Sequence, residues 1–421
     1  MSPSKPTAFS MFSGVGGLCE GVKLAGFHVT GANEHDQFAI ESYKHNFPST
    51  PLFEDDVAEL FPEGSEATRQ AHLDRYVGND HVDLVFGGPP CQGYSQIGPR
   101  DVGDPRNEMY LHVCRVAELL RPKFILIENV PNMLLMKGGM FKRRIAESLT
   151  AIGYDNQAIR VVDASLYGVP QKRKRVFIIA ARSSEITVPM TVAFDSTLHA
   201  LQRPLVTVDE AISDIPEVVA PASGVALPYP SGAKTTAFQR EMRLDFDGEF
   251  YSSTQKRAHG PGAPADVLHG HHTKEIQARR LALIKLLRQG EKADSLPKEV
   301  WDNARPEKWR RFHPDEPAHT LLAQMHRDLS EWVHPHFHRW ITVREALRLQ
   351  AFHDGFVLRS SEWQMLKQVG NAVPPLLGRV PAMAIRFAMS ASRGEQLPFK
   401  MRGQLSLFGS AAAQSPSPEA K

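Results

Sequence analysis

The sequence predicts an α/β fold, a doubly wound Rossmann-like sheet domain joined to a second, smaller, loop-rich domain. Short apolar runs alternate with amphipathic stretches through the first 180 residues, as strands and helices do in a wound sheet. A glycine-rich turn follows the first apolar run, where such folds place a ligand. From about residue 186 to residue 338 the periodicity becomes irregular, and it returns afterwards. We therefore expect the sheet domain to be completed by the last part of the chain.

Six apolar runs are candidate strands, each of a length that suits a buried strand. They are Ala8 to Phe12, His28 to Ala32, Val82 to Phe86, Lys123 to Ile127, Ala158 to Val162 and Arg175 to Ala180. Two stretches between them repeat apolar residues at the spacing of one helix face. These are Val113, Val116, Ala117 and Leu120, and Phe141, Ile145, Leu149 and Ile152. The alternation predicts a parallel sheet.

The rest of the chain divides into three parts. Eight prolines fall between Pro189 and Pro264, and a basic helix is expected from Lys274 to Arg288. A capping-box spacing at Thr342-Val-Arg-Glu345 marks the return of helices, of which a last one is expected from Ala382 to Met389. Beyond about 402, Gly, Ser, Ala and Pro predict a flexible tail. The expected boundaries are 1–185 and 339–401 for the sheet domain, 186–338 for the second domain and 402–421 for the tail.

Composition excludes several classes of protein. Of 421 residues, 42% are hydrophobic and 23% charged, as in globular proteins and unlike disordered or collagen-like chains. No apolar run approaches the roughly 20 residues that span a bilayer, and the first residues do not resemble a secretory signal. The three cysteines, Cys19, Cys91 and Cys114, lie too far apart in sequence for a CxxC site. We expect a cytoplasmic protein in a reducing compartment.

The net charge of +2 conceals a strong segregation. Residues 51–83 carry nine acidic and two basic side chains, whereas residues 137–182 carry three acidic and ten basic ones. A basic segment of this kind is compatible with an anionic partner such as nucleic acid, although a solvated surface has the same composition.

The turn after the first strand, Phe12-Ser-Gly14-Val-Gly16-Gly17, has glycines where a backbone could approach a ligand at a helix amino terminus. A tight strand-to-helix turn would need the same residues. Glu34 follows the second strand, where a carboxylate can accept both hydroxyls of a ribose, and Asp56 could bind an adenine amino group. These two acids favour an adenosine-containing cofactor.

Cys91 lies in the segment Gly87-Gly-Pro-Pro-Cys91-Gln-Gly-Tyr-Ser, directly after a strand. A cysteine at the carboxyl end of a parallel sheet, between prolines and glycines, is placed like a nucleophile, because thiolates are intrinsically strong nucleophiles. Cys19 and Cys114 fit the other common role of a free cysteine, that of a small buried hydrophobe.

Nine segments, taken in order, closely resemble the motifs of bacterial DNA (cytosine-5)-methyltransferases of restriction-modification systems. They are Phe12-Ser-Gly14-Val-Gly16-Gly17, Asn33-Glu34, Asp55-Asp56-Val57, Pro89-Pro-Cys91-Gln, Asp104-Pro-Arg-Asn-Glu-Met-Tyr110, Glu128-Asn-Val130, Gln171-Lys-Arg173-Lys-Arg175, Arg339-Trp-Ile-Thr342-Val-Arg344-Glu345 and Gln368-Val-Gly-Asn371-Ala-Val-Pro374. Any one of them could arise by chance, but the ordered set covers nearly the whole chain and is specific.

The resemblance implies S-adenosyl-L-methionine as cofactor and double-stranded DNA as substrate. The catalytic residues it implies are Cys91, Glu128, Arg173 and Arg175. Its cofactor-binding residues map onto Phe12, Gly14, Gly16, Gly17, Leu18, Glu34, His35, Asp56, Val57, Gly88, Pro90, Met109, Asn371 and Val373. Cys91 would attack cytosine carbon 6 of a flipped-out base, assisted by Glu128 at N3. Arg173 would steady the cytosine carbonyl or Glu128, Arg175 would meet phosphates, and the loop from Gly93 to Arg106 would close over the base.

The resemblance also assigns residues 186–338 to target recognition. Residues 251–340 hold ten histidines, yet no cysteine or acid stands at the usual ligand spacing, so we expect no metal. In the tail, Gln404-Leu-Ser-Leu-Phe408 resembles the peptide by which bacterial proteins bind the sliding clamp, and packing on the enzyme's own surface is an equal alternative. A cognate restriction endonuclease would be a functional partner. The resemblance also implies a monomer associated with the nucleoid.

Three other functions stay open at this point. An RNA cytosine methyltransferase of the same build would act on transfer RNA, but the long recognition segment favours duplex DNA. A regulator that binds DNA without catalysis would not need Cys91, Glu128 and Arg173. A nicotinamide-dependent oxidoreductase would explain the glycine turn but not the segments around Cys91 and Arg173.

Overall fold

The computed structural model describes residues 5–60, 71, 81–90, 109–232, 234–244, 248–251, 267–301, 309–323 and 331–399. At its centre is a seven-stranded sheet of order β3-β2-β1-β4-β5-β8-β6. The strands of this sheet are β1 (Thr7–Met11), β2 (His28–Asn33), β3 (Leu52–Phe53), β4 (Leu84–Gly87), β5 (Phe124–Asn129), β6 (Asn156–Asp163) and β8 (Lys174–Ala181). A two-residue strand, β7 (Gln171–Lys172), lies outside it. All six predicted strands are present, with ends shifted by no more than two residues.

One strand of the sheet runs against the others, which corrects the expectation of a parallel sheet. β8 pairs antiparallel with both β5 and β6. Only residues 164–173 separate β6 from β8, and the 3-10 turn Ala164–Tyr167 and β7 occupy most of them. A parallel neighbour would need a crossover of a dozen or more residues, so this short link has to reverse the chain. The reversal brings the start of β8 to the same edge as the end of β5.

Helices cover both faces of the sheet, as in a doubly wound fold. Alternate strand residues such as Phe86 and Leu126 point to one core, and their neighbours Val85 and Ile125 point to the other. Strands buried on both faces explain the continuous apolar runs in the sequence. The helices of this domain are α1 (Gly17–Leu24), α2 (Gln37–Asn46), α3 (Val57–Leu60), α4 (Tyr110–Leu120), α5 (Met140–Ala151) and α6 (Met190–Ala200).

The last part of the chain returns to the sheet. Its helices are α10 (Val343–Leu349), α11 (Glu362–Asn371) and α12 (Pro375–Ser392). α12 packs on α1 and α6 and shares their apolar core. It begins seven residues before the predicted Ala382, because Pro375 can occupy the first turn of a helix without losing a hydrogen bond. The predicted capping box is present, with Thr342 Oγ1 and the Glu345 carboxylate each accepting from the other residue's amide.

Beyond α6, the region from 186 to 338 contains short elements instead of a large sheet. They are α7 (Val208–Ile212), α8 (Ala237–Met242) and α9 (Ala278–Leu286), with strands β9 (Ala222–Pro228), β10 (Val267–Thr273), β11 (Trp309–Arg311), β12 (Ala318–His319) and β13 (Glu331–Val333). The basic stretch predicted as a helix from Lys274 to Arg288 is helical over α9 alone. A separate small core here includes Leu283, Ile284, Trp309 and Trp340.

Buried arginines of α10 hold this region to the sheet domain. Arg348 is fully buried and binds the carboxylates of Asp214 and Asp354, and Arg344 donates from Nε to the His269 carbonyl of β10 at 2.7 Å. Arg339 forms a bidentate pair with Glu345, with N–O distances of 2.9 and 2.7 Å. Buried ion pairs of this kind fix one arrangement of the segments that they join, because any other arrangement would leave a buried charge without its partner. The described helices include none with the length and apolar character that crossing a membrane demands.

Candidate active site

The turn between β1 and α1 follows a left-handed path. Phe12, Gly14 and Gly16 have φ angles of 53°, 55° and 95°. The Gly16 amide donates to the Ser13 carbonyl at 2.9 Å, and the Gly16 carbonyl accepts from the Glu20 amide as α1 begins. No atom of the described residues lies within 4 Å of a Cβ placed on Gly14. The turn thus has an open backbone at Gly14, at the carboxyl end of β1.

The sequence predicted Gly17 as part of a ligand-binding turn, and in the structure Gly17 is needed for close packing of the chain. A Cβ placed on Gly17 would lie 2.2 Å from the Val373 carbonyl oxygen. The start of α1 therefore packs on the backbone between α11 and α12, which contains exposed Asn371 and buried Val373. Leu18, the next residue of α1, packs against Gly378 of α12. The glycine serves close packing of the chain on itself, and this contact brings Asn371 and Val373 to the cofactor turn.

Glu34 is held against the glycine turn. Its Oε2 accepts from the Gly14 amide at 2.6 Å, and its Oε1 accepts from the amides of His35 and Asp36 at 2.9 and 2.8 Å. The Nδ2 of Asn33 donates to the carbonyls of Phe53 and Asp55, which ties the end of β3 to the end of β2. The carboxylate predicted to bind a ribose thus lies at the turn predicted to bind the same cofactor.

The remaining predicted cofactor residues line the same edge of the sheet. Phe12, Val57 and Met109 belong to one apolar cluster, of which Val57 is buried and the other two are partly buried. Exposed Asp56 precedes Val57, and its charge acts on the pKa of His112. The structure therefore brings together side chains from positions 12 to 109, as the carboxyl edge of a wound sheet should.

One further residue, Ser13, fits this group, and sequence reasoning missed it. Its hydroxyl is buried without a hydrogen-bond partner in the described part of the chain. A buried hydroxyl left unpaired is costly, so it indicates a polar partner that arrives with a ligand. Together with the Glu34 carboxylate and the open Gly14 backbone, Ser13 Oγ suits an adenosyl cofactor that carries hydroxyl, ammonium and carboxylate groups.

The segment before Cys91 passes directly over Glu128. A Cβ placed on Gly88 would lie 2.8 Å from Glu128 Oε2, so a larger residue at this position would displace the Glu128 carboxylate. The Asn129 Nδ2 donates to the Pro89 carbonyl at 3.4 Å, and its Oδ1 accepts from the Val130 amide. Gly88 and Pro90 are partly buried. Cys91 itself and the loop from Gly93 to Arg106 lie outside the described residues, as does the predicted clamp peptide Gln404–Phe408.

Glu128 is buried at the end of β5 and is paired with Arg175. The Arg175 Nε lies 3.0 Å from Glu128 Oε1, and each side chain is less than 15% exposed. Burial raises the pKa of Glu128, while the charges of Arg175 and Arg173 oppose that rise. A raised pKa makes the protonated carboxyl more accessible near neutral pH. Glu128 is therefore suited to donate a proton or a hydrogen bond.

The two arginines of the Gln171-Lys-Arg173-Lys-Arg175 segment have roles that differ from our expectation. Arg175, expected at phosphates, is the one that contacts Glu128. Arg173, expected at the cytosine or Glu128, is fully buried and donates to the backbone carbonyls of Leu321, Gly370 and Ala372 at 2.9, 2.8 and 2.9 Å. In a continuous strand, Arg173 and Arg175 would point to the same face, because side chains alternate between faces. Here Arg173 lies between β7 and β8 and belongs to neither strand, so the two side chains can point in different directions.

The other members of this segment are divided between the core and the surface. Gln171 is buried, and its Oε1 accepts from the Leu321 amide at 3.1 Å. Lys172 and Lys174 are exposed, and the Lys172 Nζ pairs with Glu316 Oε2 at 2.9 Å. Lys172 thus meets a carboxylate of the region from 186 to 338, named here the recognition region after its predicted role, and Lys174 faces solvent.

Two histidines of the recognition region are buried, and two more make polar contacts within the protein. His271 and His334 are buried, and burial lowers the pKa of each to about 4. His336 contacts the carboxylate of Asp209, and His338 contacts Arg311. Across the described residues, no three His, Cys, Asp or Glu side chains are grouped so that they could hold a metal ion.

Comparison with known proteins gives one consistent family. The sequence profile of the C-5 cytosine-specific DNA methylases matches residues 7–386. A Type II methyltransferase of Thalassovita gelatinovora, M.AgeI, is 32% identical over 90% of this chain and 99% of the relative. A second, M.DdeI of Desulfomicrobium norvegicum, is 31% identical over 89% of this chain and 87% of its own length.

A solved structure supports the same relationship. A DNA modification methyltransferase encoded within an E. coli prophage superposes with a TM-score of 0.69 and 25% identity, covering 90% of this chain and 98% of the other. The similarity therefore extends through the region from 186 to 338 as well as the sheet domain.

Proposed function

The chain belongs to the family of C-5 cytosine-specific DNA methylases, and we propose that it methylates carbon 5 of one cytosine in a short, specific sequence of double-stranded DNA. The observation that carries the proposal is the Glu128–Arg175 pair beneath the segment that leads to Cys91. A buried acid with a raised pKa, one strand away from a cysteine-bearing turn, is what nucleophilic addition to a cytosine ring requires.

Cys91 is the proposed nucleophile. Cytosine carbon 5 is a poor nucleophile because its attack would break the aromatic ring. The Cys91 thiolate forms a bond to carbon 6, and Glu128 protonates or hydrogen-bonds ring N3 to accept the displaced electron density. The resulting enamine makes carbon 5 nucleophilic, so that carbon 5 would take a methyl group from the sulfonium of the cofactor, whose sulfur would leave as a neutral thioether. Loss of the carbon 5 proton restores the C5–C6 double bond and expels the thiolate.

Arg175 orients the acid in this scheme. Its contact at Glu128 Oε1 leaves Oε2, which lies beside Gly88, as the oxygen that faces the segment leading to Cys91. A guanidinium held this way fixes the carboxyl and limits the rise of its pKa. A base inside a duplex cannot present its ring to this buried acid, so the target cytosine has to be flipped out.

The cofactor is proposed to be S-adenosyl-L-methionine, which supplies an electrophilic methyl group when bound. The Glu34 carboxylate would accept the ribose hydroxyls, and Asp56 would accept from the adenine amino group. Phe12, Val57 and Met109 would contact the adenine ring, with His35 at its edge. Ser13 Oγ and the Gly14 backbone would bind the polar end of the cofactor.

The biological role we propose is protection of host DNA in a restriction-modification system. The curated relatives are Type II methyltransferases, and a cognate endonuclease would cleave the unmodified target. The sliding clamp stays a second hypothetical partner, through Gln404–Phe408. A labelled peptide of residues 400–421 that fails to bind clamp at tens of micromolar would end that hypothesis.

Trapping the covalent adduct tests the mechanism. DNA with 5-fluorocytosine at the target cannot lose a proton from carbon 5, so the chain should stay bonded to it in the presence of cofactor. Mass spectrometry should show the adduct for the wild type and for Cys114→Ala, and none for Cys91→Ala. Cys114 is the matched control because burial raises the pKa of its thiol to about 12. An adduct that persists in Cys91→Ala would overturn the assignment.

A further inference from the structure

A stack of aromatic rings runs from the core of the recognition region to its surface. The Trp332 ring lies nearly parallel to Phe312, with centroids 4.8 Å apart and an angle of 3°, and to His319, with centroids 6.0 Å apart and an angle of 13°. Phe312 and Trp332 are buried, whereas His319 is exposed. Two buried rings therefore support the plane of an imidazole that solvent can reach.

The exposed end of this stack borders a cavity of about 370 Å³. That volume lies within the range of sites that hold small planar ligands. Besides His319, its lining includes Gln289, Glu291, His313 and Glu316. These side chains offer amide, imidazole and carboxylate groups, which are the groups that read the edges of nucleobases.

Positive charge surrounds the imidazole. Partial burial is the main cause that lowers the pKa of His319 to about 4, and the charges of Arg310, Lys172 and Lys292 lower it further while Glu316 opposes them. The Arg310 guanidinium lies 5.6 Å from the centre of the Trp332 ring, and Lys172 pairs with Glu316. At neutral pH the site thus has a neutral ring among cations, a combination that suits the flat face of a base and its adjoining phosphates.

The position of His319 links this cavity to the proposed catalytic centre. In the parallel pair of β12 with β7, His319 lies opposite Lys172. The next residue, Thr320, donates from Oγ1 to the Lys172 carbonyl at 2.8 Å, and Leu321 accepts from Arg173. The cavity therefore adjoins β7, which one residue separates from β8, the strand that carries Arg175, the partner of Glu128.

We propose that His319 is a stacking platform for a nucleobase of the bound DNA, other than the target cytosine, and that it contributes to the choice of sequence. This inference rests on the proposed function, since it assumes a DNA substrate. Flipping one base leaves its neighbours without a stacking partner, and the exposed imidazole can take the face of one of them. Lys172 and Arg310 would bind the phosphates beside it.

The test compares three substitutions at His319 in the full-length protein. Fluorescence anisotropy would measure the affinity of each variant for two DNA duplexes. One carries the target sequence that the wild type methylates, and the other differs from it in a single base pair next to the target cytosine. His319→Phe keeps a stacking ring, His319→Asn keeps a hydrogen-bonding side chain, and His319→Ala keeps neither. Exposed His28, at the amino end of β2 and so at the opposite edge of the sheet, supplies the control His28→Ala.

Stacking predicts that His319→Phe retains affinity, whereas His319→Asn and His319→Ala bind about 5- to 100-fold more weakly. The preference between the two duplexes should shrink in the weak variants, and cofactor affinity should not change. Retained affinity in His319→Ala, or loss in His319→Phe with retention in His319→Asn, would overturn the proposal. If the wild type neither binds nor methylates DNA, the proposed function fails instead.

Discussion

At the scale of single residues, the chemistry depends on Glu128 being an acid in a protected place. Burial raises the pKa of Glu128, and the positive charge of Arg175 limits that rise. Glu128 was predicted from the resemblance of Glu128-Asn-Val130 to a motif of the family. The sequence did not predict its partner, because the pairing follows from the reversed direction of β8. In a parallel sheet, Arg175 would lie at the opposite edge.

Glu128→Gln should lower kcat by about 10²- to 10⁴-fold, the usual contribution of a general acid. Its amide preserves the shape of the side chain, so the affinity for cofactor should stay within about twofold. Single-turnover methyl transfer and cofactor titration measure the two quantities. A loss confined to cofactor affinity would contradict the role of Glu128, and exposed Glu118→Gln supplies the control.

Arg175→Met should shift the pH profile as well as lower the rate. Removing the guanidinium removes a charge that lowers the pKa of Glu128, so that pKa should rise further. The acid would then stay protonated to a higher pH, and the alkaline decline of kcat should begin at higher pH than in the wild type. A profile shifted in the acid direction would show that Arg175 does not act on Glu128.

At the scale of elements, Arg173 joins three segments that are distant in sequence. It binds carbonyls of the recognition region at Leu321 and of the α11–α12 turn at Gly370 and Ala372. The same α11–α12 turn also packs on Gly17 through Val373. The cofactor turn and the recognition region are therefore held by one guanidinium. No local pattern could predict this, since the partners lie 148 to 199 residues away in sequence.

Arg173→Met should destabilise the protein by at least about 3 kcal/mol, because it leaves three buried carbonyls without their charged donor. Urea unfolding measures the change. The matched control is exposed Lys174→Met, which should change stability by less than about 0.5 kcal/mol. Equal stabilities of the two variants would show that the carbonyls find other partners.

The strands and most helices were predictable from periodicity, and the connections between them were not. The alternation of apolar runs with amphipathic stretches located all six long strands. The direction of β8, however, depended on the length of its link to β6. The small core around Trp309 and Trp340 draws on residues that loops separate in the sequence. Its residues have no single period, so sequence reasoning saw only a loop-rich domain.

At the scale of the whole molecule, the attachment of the recognition region should be sensitive to acid. His271, His334 and His353 are buried, and burial lowers the pKa of each to about 4. Their charged neighbours are Glu345, Asp354 and Glu20, which favour protonation, and Arg339, Arg344, Arg311, Lys23 and His336, which oppose it. The same attachment uses Glu345, whose pKa is held at about 2, with Arg339 and His334 as its main charged partners.

The free energy of unfolding should therefore fall as pH drops from 6.5 towards 4. A histidine whose pKa is lowered in the folded state stabilises it above the unfolded pKa near 6.5, and this contribution is lost on acidification. Each such histidine adds about 1.4 kcal/mol per pH unit to the slope in that range. Glu345 adds to the loss below about pH 4.5 in the same direction. Urea unfolding at pH 8, 6 and 5 measures the slope, which should be smaller in His334→Gln and unchanged in His28→Gln.

The central claim is that this chain methylates cytosine through Cys91. Bisulfite sequencing of DNA from a methylation-deficient host that expresses the wild type, Cys91→Ala or Cys114→Ala tests it directly. We predict cytosines protected within one short motif for the wild type and Cys114→Ala, and complete conversion for Cys91→Ala. Complete conversion in all three would contradict DNA methylation, and protection that persists in Cys91→Ala would contradict the covalent mechanism.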